Sequence, residues 1–358
     1  MALRTVIVGS GSVLPLVVVP NAAFLQHDFR GLDGAPIGKP NEEILTQFEA
    51  ITGIRERRYA AADQVTSDLA LEAARNALAS SGIDPETLEG ILVAHNFGDV
   101  RLGSTRSDLV PSLAARVKAS LGIRNPACAA FDLVFGCPGW LQSVIQADAM
   151  IRSGQARRVL VIGADTLSRV SDPHDRDSLI YADGAGAVIL EGHETEGGIL
   201  ASAARTDAVD GAALLTMGPS SKPGAFPGDL FLKMEGRKLY RYALNQVPLA
   251  MKAALERAGV GLAAVSKILI HQANWKMDEA IVDALYATEG LTTPPDIMPM
   301  TIAWLGNSSV ATVPTLWDLM IKDQFEGQAL HSGDLVLFAS VGAGMHINAV
   351  VYRMPVRR

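Results

Sequence analysis

The chain alternates short apolar runs with longer stretches in which apolar residues recur at helical spacing. Thr5–Val8, Ile91–Ala94, Phe131–Phe135 and Val159–Ile162 are compact apolar runs of strand character. Ser67–Ser81, a stretch near Ser112–Leu121 and Trp140–Ser153 carry the helical period instead. The second half repeats this grammar. Ala187–Leu190, Ile268–Ile270 and Leu335–Phe338 read as strands, and Leu239–Ala258 and Met277–Tyr286 as helices. Alternating strands and helices predict an α/β fold with mainly parallel sheets covered by helices. His95 and His271 each follow an apolar strand, and they stand as far apart as Val159 and Leu335. That shared spacing points to an internal duplication, with halves expected at 1–180 and 181–358.

The irregular segments add detail. Residues 25–48 are mixed, with a Gly/Pro-rich surface excursion at Gly31–Pro40, and Asn96–Pro111 reads as a long polar loop. Asp210–Gly236 is long for a connection and rich in Gly and Pro, which suits a lid or a wall. Gly9-Ser-Gly11 has Pro15 where a nucleotide-binding helix would start, so no dinucleotide fingerprint is read there. With 358 residues, 49% of them hydrophobic and 19% charged, the chain can bury more than one core, as a well-packed enzyme does. A net charge of −7 and the lack of a basic run argue against nucleic acid as a partner. No apolar run approaches the ~18 residues of a membrane span. The apolar N-terminus is broken by Gly9, Gly11 and Pro15, unlike a signal peptide. Two cysteines, Cys128 and Cys137, suit a reducing compartment, so a cytoplasmic protein is expected.

The candidate chemistry starts at Cys137. Gly136 breaks the Phe131–Phe135 run, and Pro138-Gly139 opens the helical pattern, so Cys137 sits at a strand-to-helix corner. Free N–H groups at a helix start favour a thiolate, whereas burial favours the thiol, and the segment alone leaves that balance open. It equally fits a buried, inert cysteine. His271, in ILIHQANW, follows a strand where open α/β sheets present ligand-binding groups, although a capped structural histidine fits as well. His95 at the matching position is read as structural. Asn307, in LGNSSVATVP, reads alone as a turn asparagine or a helix cap. Gly342-Ala-Gly344 follows a strand and allows close approach of backbone N–H groups.

Taken in order, Cys137 at a helix start, His-Gln-Ala-Asn at 271–274, Gly-Asn-Ser-Ser at 306–309 and Gly-Ala-Gly at 342–344 resemble the thiolase-like condensing enzymes. More narrowly they resemble β-ketoacyl-acyl-carrier-protein synthase III. Thr52–Arg57, Ser171–Asp177 and Asp183–Leu190 look like further stretches of that family, so the resemblance spans nearly the whole chain. It implies a thiolase-like fold, two pseudo-symmetric halves in αβαβα layers, and a homodimer. It implies Cys137 as nucleophile, His271 and Asn307 as the other catalytic residues, and an oxyanion hole from the N–H groups of Cys137 and Gly344. The implied reaction is acyl transfer from a thioester to Cys137, then decarboxylative Claisen condensation with a malonyl or β-ketoacyl thioester. The β-keto product would serve fatty acid or secondary-metabolite biosynthesis. Acyl-coenzyme A or acyl-carrier thioesters are the implied substrates, with no resident cofactor and no metal at the acidic Asp172–Asp177 loop. Arg176 matches the family's adenine-contacting arginine, and Lys276 is a retained basic residue.

Departures qualify the resemblance. Gln47 stands where the family stacks a tryptophan on adenine, and Ile51 where it has an arginine. The basic pair of the His-Gln-Ala-Asn helix is replaced by an acidic Asp283–Glu289 stretch. Bulky Phe135, Pro138 and Trp140 surround the cysteine in place of small residues. These changes suit an unusual primer or carrier. Two alternatives remain beside condensation: acyl transfer to an oxygen or nitrogen acceptor without decarboxylation, and a non-catalytic partner subunit.

Overall fold

Two mixed sheets organise the chain, and the apolar runs of the sequence lie in their strands, at the centre and at the edges alike. The computed structural model describes residues 2–31 and 33–356. The first half runs β1 (Leu3–Val13), β2 (Val17–Pro20), α1 (Asn41–Thr52), β3 (Glu56–Tyr59), α2 (Thr66–Ser81), β4 (Gly90–His95), α3 (Leu113–Ser120), β5 (Ala129–Val134), α4 (Gly139–Arg152), β6 (Arg158–Thr166) and β7 (Asp183–Glu194). It continues with β8 (Gly198–Thr206), α5 (Ala208–Gly211), β9 (Leu215–Gly218), β10 (Phe231–Met234), α6 (Gly236–Ala258) and β11 (Val265–Ile270). The chain closes with α7 (Trp275–Ala287), α8 (Ile302–Leu305), α9 (Thr312–Ile321), β12 (Leu335–Gly342) and β13 (His346–Arg353).

The first sheet has the order β1-β7-β6-β4-β5 and the second β11-β12-β13-β8. The apolar runs thus lie at the centre in β4, β6, β7 and β12 and at the edges in β1, β5 and β11. β4 is parallel to β5 and β6, and β11 is parallel to β12. The other pairs in these sheets are antiparallel, so the parallel share is smaller than the strand–helix alternation suggests. The reason is that β7 and β13 return beside their predecessors without a covering helix. The shared spacing of the two halves has a structural counterpart, because β4–β6 and β11–β12 are equivalent parallel pairs. β7 pairs with β1 and β6, and β8 pairs with β13, so the chain passes from the first sheet to the second between Glu194 and Gly198.

Five layers result. α2 and α3 cover the outer face of the first sheet, α4 and α9 lie between the sheets, and α6 and α7 cover the second. Ala70, Ala73, Ala74 and Ala77 form a flat, fully buried face on α2. That face lies so close to β1 that a Cβ on Gly9 or Gly11 would come within 2.7 Å of its backbone. The Gly-Ser-Gly of the N-terminus is therefore a packing device inside a strand. In the middle layer Trp317 meets Phe338 and Tyr352, with ring centroids 5.4 Å apart in each pair. Burial of such rings contributes about 2–3 kcal/mol each, which fixes the two sheets against each other. No helix among the described residues is long and apolar enough to cross a membrane.

Arg57, from the Thr52–Arg57 motif, is fully buried and braces the segment leading into β7. Its guanidinium donates to the carbonyls of Leu179 and Val19 and to Asn21 Oδ1, beneath the ring of Phe24. Burial lowers its pKa to about 10, which still leaves it charged at neutral pH.

Candidate active site

The cysteine corner forms where two turns meet. β5 ends at Val134, and Gly136 reverses the chain at φ 85°, a conformation that favours glycine. Pro138, at φ −74°, caps α4 and leads directly into its first turn. The opposing turn is Gly342–Gly344. A Cβ on Gly342 would lie 2.7 Å from the Cys137 nitrogen, and one on Gly136 would lie 3.1 Å from the Ala343 nitrogen. Glycine at both places lets the backbones touch. Gly344, by contrast, turns its Cα towards the ring of His346, so Gly342 and Ala343 are the residues abutting the corner. The bulky neighbours of Cys137 point away from its cavity. Phe135 stacks on His346 at 4.1 Å, and Trp140 is buried against Phe338.

His271 leaves the end of β11, its N–H bonded to the carbonyl of Ala339 at 2.9 Å. The rest of its motif is scaffolding. Gln272 Oε1 accepts the N–H groups of Thr301 and Ile302, and Asn274 Oδ1 caps α7 at the Met277 N–H. Burial drives the His271 pKa down to about 4, offset only in part by the backbone of Ser309. Its Nδ1 has no partner among the described residues. The ring is thus a neutral imidazole at physiological pH, able to donate one hydrogen bond.

Asn307 is pinned by main chain on both sides. Its N–H reaches the Ile180 carbonyl at 3.0 Å, and its carbonyl accepts from Ala182 at 2.8 Å. Gly306, at φ 69°, passes so close to Arg57 that a Cβ would lie 2.7 Å from Arg57 Cβ. Asn307 Oδ1 accepts the Ser309 N–H at 2.8 Å. With the oxygen engaged, the amide NH₂ is the end left for a ligand.

Cys137, His271 and Asn307 line one cavity of about 910 Å³. Ile44, Phe48, Leu232 and Met234 form an apolar wall, two of them from the β9–β10 hairpin within the long Gly/Pro-rich segment. Gln47, Ile51 and Arg176 also line this cavity, whereas Lys276 sits exposed on α7 outside the lining. Burial pushes the Cys137 thiol up to about 11, opposed by a hydrogen bond from Ser309 Oγ at 3.4 Å. Burial therefore outweighs this hydrogen bond, and the resting group is a thiol. Ser309 and Asn96 also line the cavity, with Asp165 bonded behind Asn96. Sequence reading gave none of them a role, although Ser309 lies within the Gly-Asn-Ser-Ser motif, because Asn96 and Asp165 come from distant segments that share no motif with it.

Two other candidates resolve as structure. His95 bonds Asp132 at 3.1 Å through Nε2 and accepts the Gly98 N–H through Nδ1. In the acidic loop, Lys233 Nζ binds Asp172 at 2.6 Å and Asp175 at 2.9 Å, fastening β10 to it. No group of three or more His, Cys, Asp or Glu able to hold a metal occurs among the described residues.

Two stacked mixed sheets enclosing a pair of buried helices, with a cysteine corner from one half facing histidine and asparagine from the other, define the thiolase-like class. Sequence models of 3-oxoacyl-[acyl-carrier-protein] synthase III match residues 131–208 and, for its C-terminal part, 255–354. A β-ketoacyl-[acyl-carrier-protein] synthase III of Cereibacter sphaeroides is 35% identical over 99% of this chain and 100% of its own length. One from Erythrobacter litoralis is 35% identical over 98% of this chain and 99% of its own. The crystal structure of 3-oxoacyl-(acyl carrier protein) synthase III from Pseudomonas aeruginosa superposes with a TM-score of 0.81, 28% identity and 98% coverage of both chains. The priming β-ketosynthase of the R1128 polyketide pathway gives 0.81 at 26% identity, covering 99% of this chain and 97% of its own. The chain belongs to the 3-oxoacyl-[acyl-carrier-protein] synthase III family, and with it to the condensing enzymes of fatty acid or polyketide biosynthesis.

Proposed function

We propose that the protein takes an acyl group from a thioester onto Cys137 and condenses it with a malonyl or β-ketoacyl thioester. The observation that carries this reading is the convergence on one cavity of a cysteine, a neutral buried imidazole and an asparagine whose amide NH₂ is free. In the first half-reaction Cys137 Sγ attacks the thioester carbonyl, and the donor thiol leaves with the cysteine proton. The tetrahedral oxyanion is held by the Cys137 N–H and an N–H of the Gly342–Gly344 turn, Gly344 by resemblance. In the second, a malonyl thioester loses carbon dioxide, and the electron pair moves onto its thioester carbonyl. His271 and the Asn307 NH₂ donate to that enolate oxygen. The enolate carbon attacks the acyl-Cys137 carbonyl, and the Cys137 thiolate leaves with a β-keto thioester as product.

Arg176 and Lys276 are the basic residues we assign to the donor's coenzyme A or carrier end. Gln47 and Ile51 remove the stacking site for adenine, so the primer is not standard acetyl-coenzyme A. Asp283 on α7, with Glu289 just beyond it, makes this stretch acidic, so carrier docking differs from the standard one. A homodimer fits β5, an edge strand exposing Phe131 and Val134 at 38% and 62%. Free thiols at Cys128 and Cys137 suit a cytoplasmic setting.

Intact-protein mass spectrometry with a panel of acyl thioesters tests the first step, and malonyl thioester added afterwards tests the second. The expected result is one acyl mass, absent from Cys137→Ala and discharged with release of carbon dioxide. An acyl-enzyme that malonyl thioester leaves untouched would replace condensation with plain acyl transfer.

A further inference from the structure

Behind Cys137 runs a hydrogen-bond chain whose direction is set at every link. Asp165, on β6, is buried and accepts Asn96 twice, from the N–H at 2.8 Å and from Nδ2 at 2.6 Å. These two bonds fix the Asn96 carboxamide with its NH₂ inward. The other Nδ2 proton goes to Ser309 Oγ at 2.8 Å. A serine oxygen that accepts there has its own proton left to give; the Asp165 carboxylate also attracts it, and the acceptor within hydrogen-bond distance is Cys137 Sγ at 3.4 Å. Ser309 holds a left-handed backbone, φ 55°, a strained conformation for a serine. The Asn307 carboxamide sustains that conformation through its bond to the Ser309 N–H. Strain kept beside a nucleophile calls for an explanation, and the placement of this hydroxyl supplies one.

We propose that Ser309, aimed by Asn96 and Asp165, donates a hydrogen bond to the Cys137 sulfur and stabilises it as the attacking thiolate. Ser309 touches the reacting atom, whereas Asn96 and Asp165 are positioning residues. The need is plain, since desolvation resists ionisation of this thiol. Three titratable groups face the sulfur's surroundings. Asp165 comes from β6, Tyr181 from the segment before β7, and His271 from the end of β11. The charge of Asp165 opposes a thiolate, and His271 stays neutral, so the stabilising contact is the serine proton. Asp165 therefore helps through the geometry it gives Asn96 and not through its field.

The inference rests on Cys137 as nucleophile, but its test reads the thiol itself. The pH dependence of iodoacetamide alkylation would be followed by mass spectrometry, with peptide mapping to separate Cys137 from Cys128. Ser309→Gly removes the hydroxyl and relieves the left-handed strain, so it is expected to fold at least as stably as the parent. Its Cys137 titration should move up by about one pH unit, a tenfold loss of thiolate at fixed pH. Asn96→Ala should move it in the same direction. The double variant should match Ser309→Gly alone, because Asn96 acts through Ser309. An unmoved titration in Ser309→Gly, or shifts that add in full, would overturn the proposal. A Cys137 that accepts no acyl group from any thioester would instead end the proposed function and leave the measured titration standing.

Discussion

Replacing Asn307 with aspartate separates the two half-reactions. The carboxylate keeps an oxygen where Oδ1 now accepts the Ser309 N–H at 2.8 Å, and the main-chain bonds to Ile180 and Ala182 do not involve the side chain. The local fold and the Ser309 hydroxyl therefore stay in place. What is lost is the NH₂ donor, and a negative charge replaces it where enolate charge develops. Removing one such donor costs about 3–4 kcal/mol of transition-state stabilisation, a rate factor of roughly 10²–10³. Single-turnover acylation of Cys137, followed by mass, should stay within about threefold of the parent on this accounting. Release of carbon dioxide from malonyl thioester by the preformed acyl-enzyme should slow by the full factor. Asn307→Ala provides the contrast. It loses the brace on Ser309 as well as the donor, so both half-reactions should suffer. Parent-rate release of carbon dioxide by Asn307→Asp, or equal damage to its two steps, would refute the assignment.

The depressed pKa of His271 has two readouts. Decarboxylation should show no titration near pH 6.5 and decline only as pH approaches 4. In stability, the unfolded chain binds a proton below pH 6.5 that the folded protein refuses until about pH 4. Stability is therefore lost as pH falls through that window, by about 2–3 kcal/mol at pH 4.5, and His271→Gln should remove that share in urea unfolding. Asp278 is buried on α7 with neither carboxylate oxygen in a well-formed hydrogen bond among the described residues, and burial, offset only in part by the nearby backbone of Asn274 and Ala273, holds its pKa well above the usual range. Its cost grows as pH rises past the unfolded value, so Asp278→Asn should raise the melting temperature at pH 7.5 by about 1–3 °C, and a fall would show that the carboxyl has an unseen partner. Acetyl-coenzyme A should not be the best donor in steady-state comparison with longer and carrier-bound thioesters. Gln47→Trp should improve its KM by up to roughly tenfold, the worth of one stacking contact; no gain would place the adenine elsewhere.

How far the sequence could be read depended on whether a feature is local. The cysteine corner was legible because strand, turn and helix start follow one another within a dozen residues. The central strands were legible because they are buried on both faces and read as unbroken apolar runs. α9 escaped notice because nearly all its residues are buried, which erases the helical period. The far half of β1 escaped because Gly9 and Gly11 look like a loop until the alanine face of α2 is laid across them. α1 was hidden in a mixed segment whose apolar residues, Ile44, Leu45 and Phe48, serve the cavity side.

The two histidines show the limit most sharply. His95 and His271 occupy matching places at the ends of β4 and β11, and without the His-Gln-Ala-Asn resemblance their strand-end positions alone do not tell them apart. The difference is made by partners. His95 has an acid, Asp132, 37 residues further along, and a backbone N–H from Gly98, so both ring nitrogens are spent on the fold. Among the described residues His271 pairs with no acid and its Nδ1 has no partner, and burial keeps the ring neutral. On the proposed mechanism, that spare donor is what fits the ring for the enolate oxygen. The same logic applies to Cys137, whose sulfur lies in reach of the Ser309 hydroxyl, itself held by Asn96 and, behind that, Asp165. β4–β6 and β11–β12 are alike as parallel pairs, and the two strand-end histidines differ in the contacts that surround them.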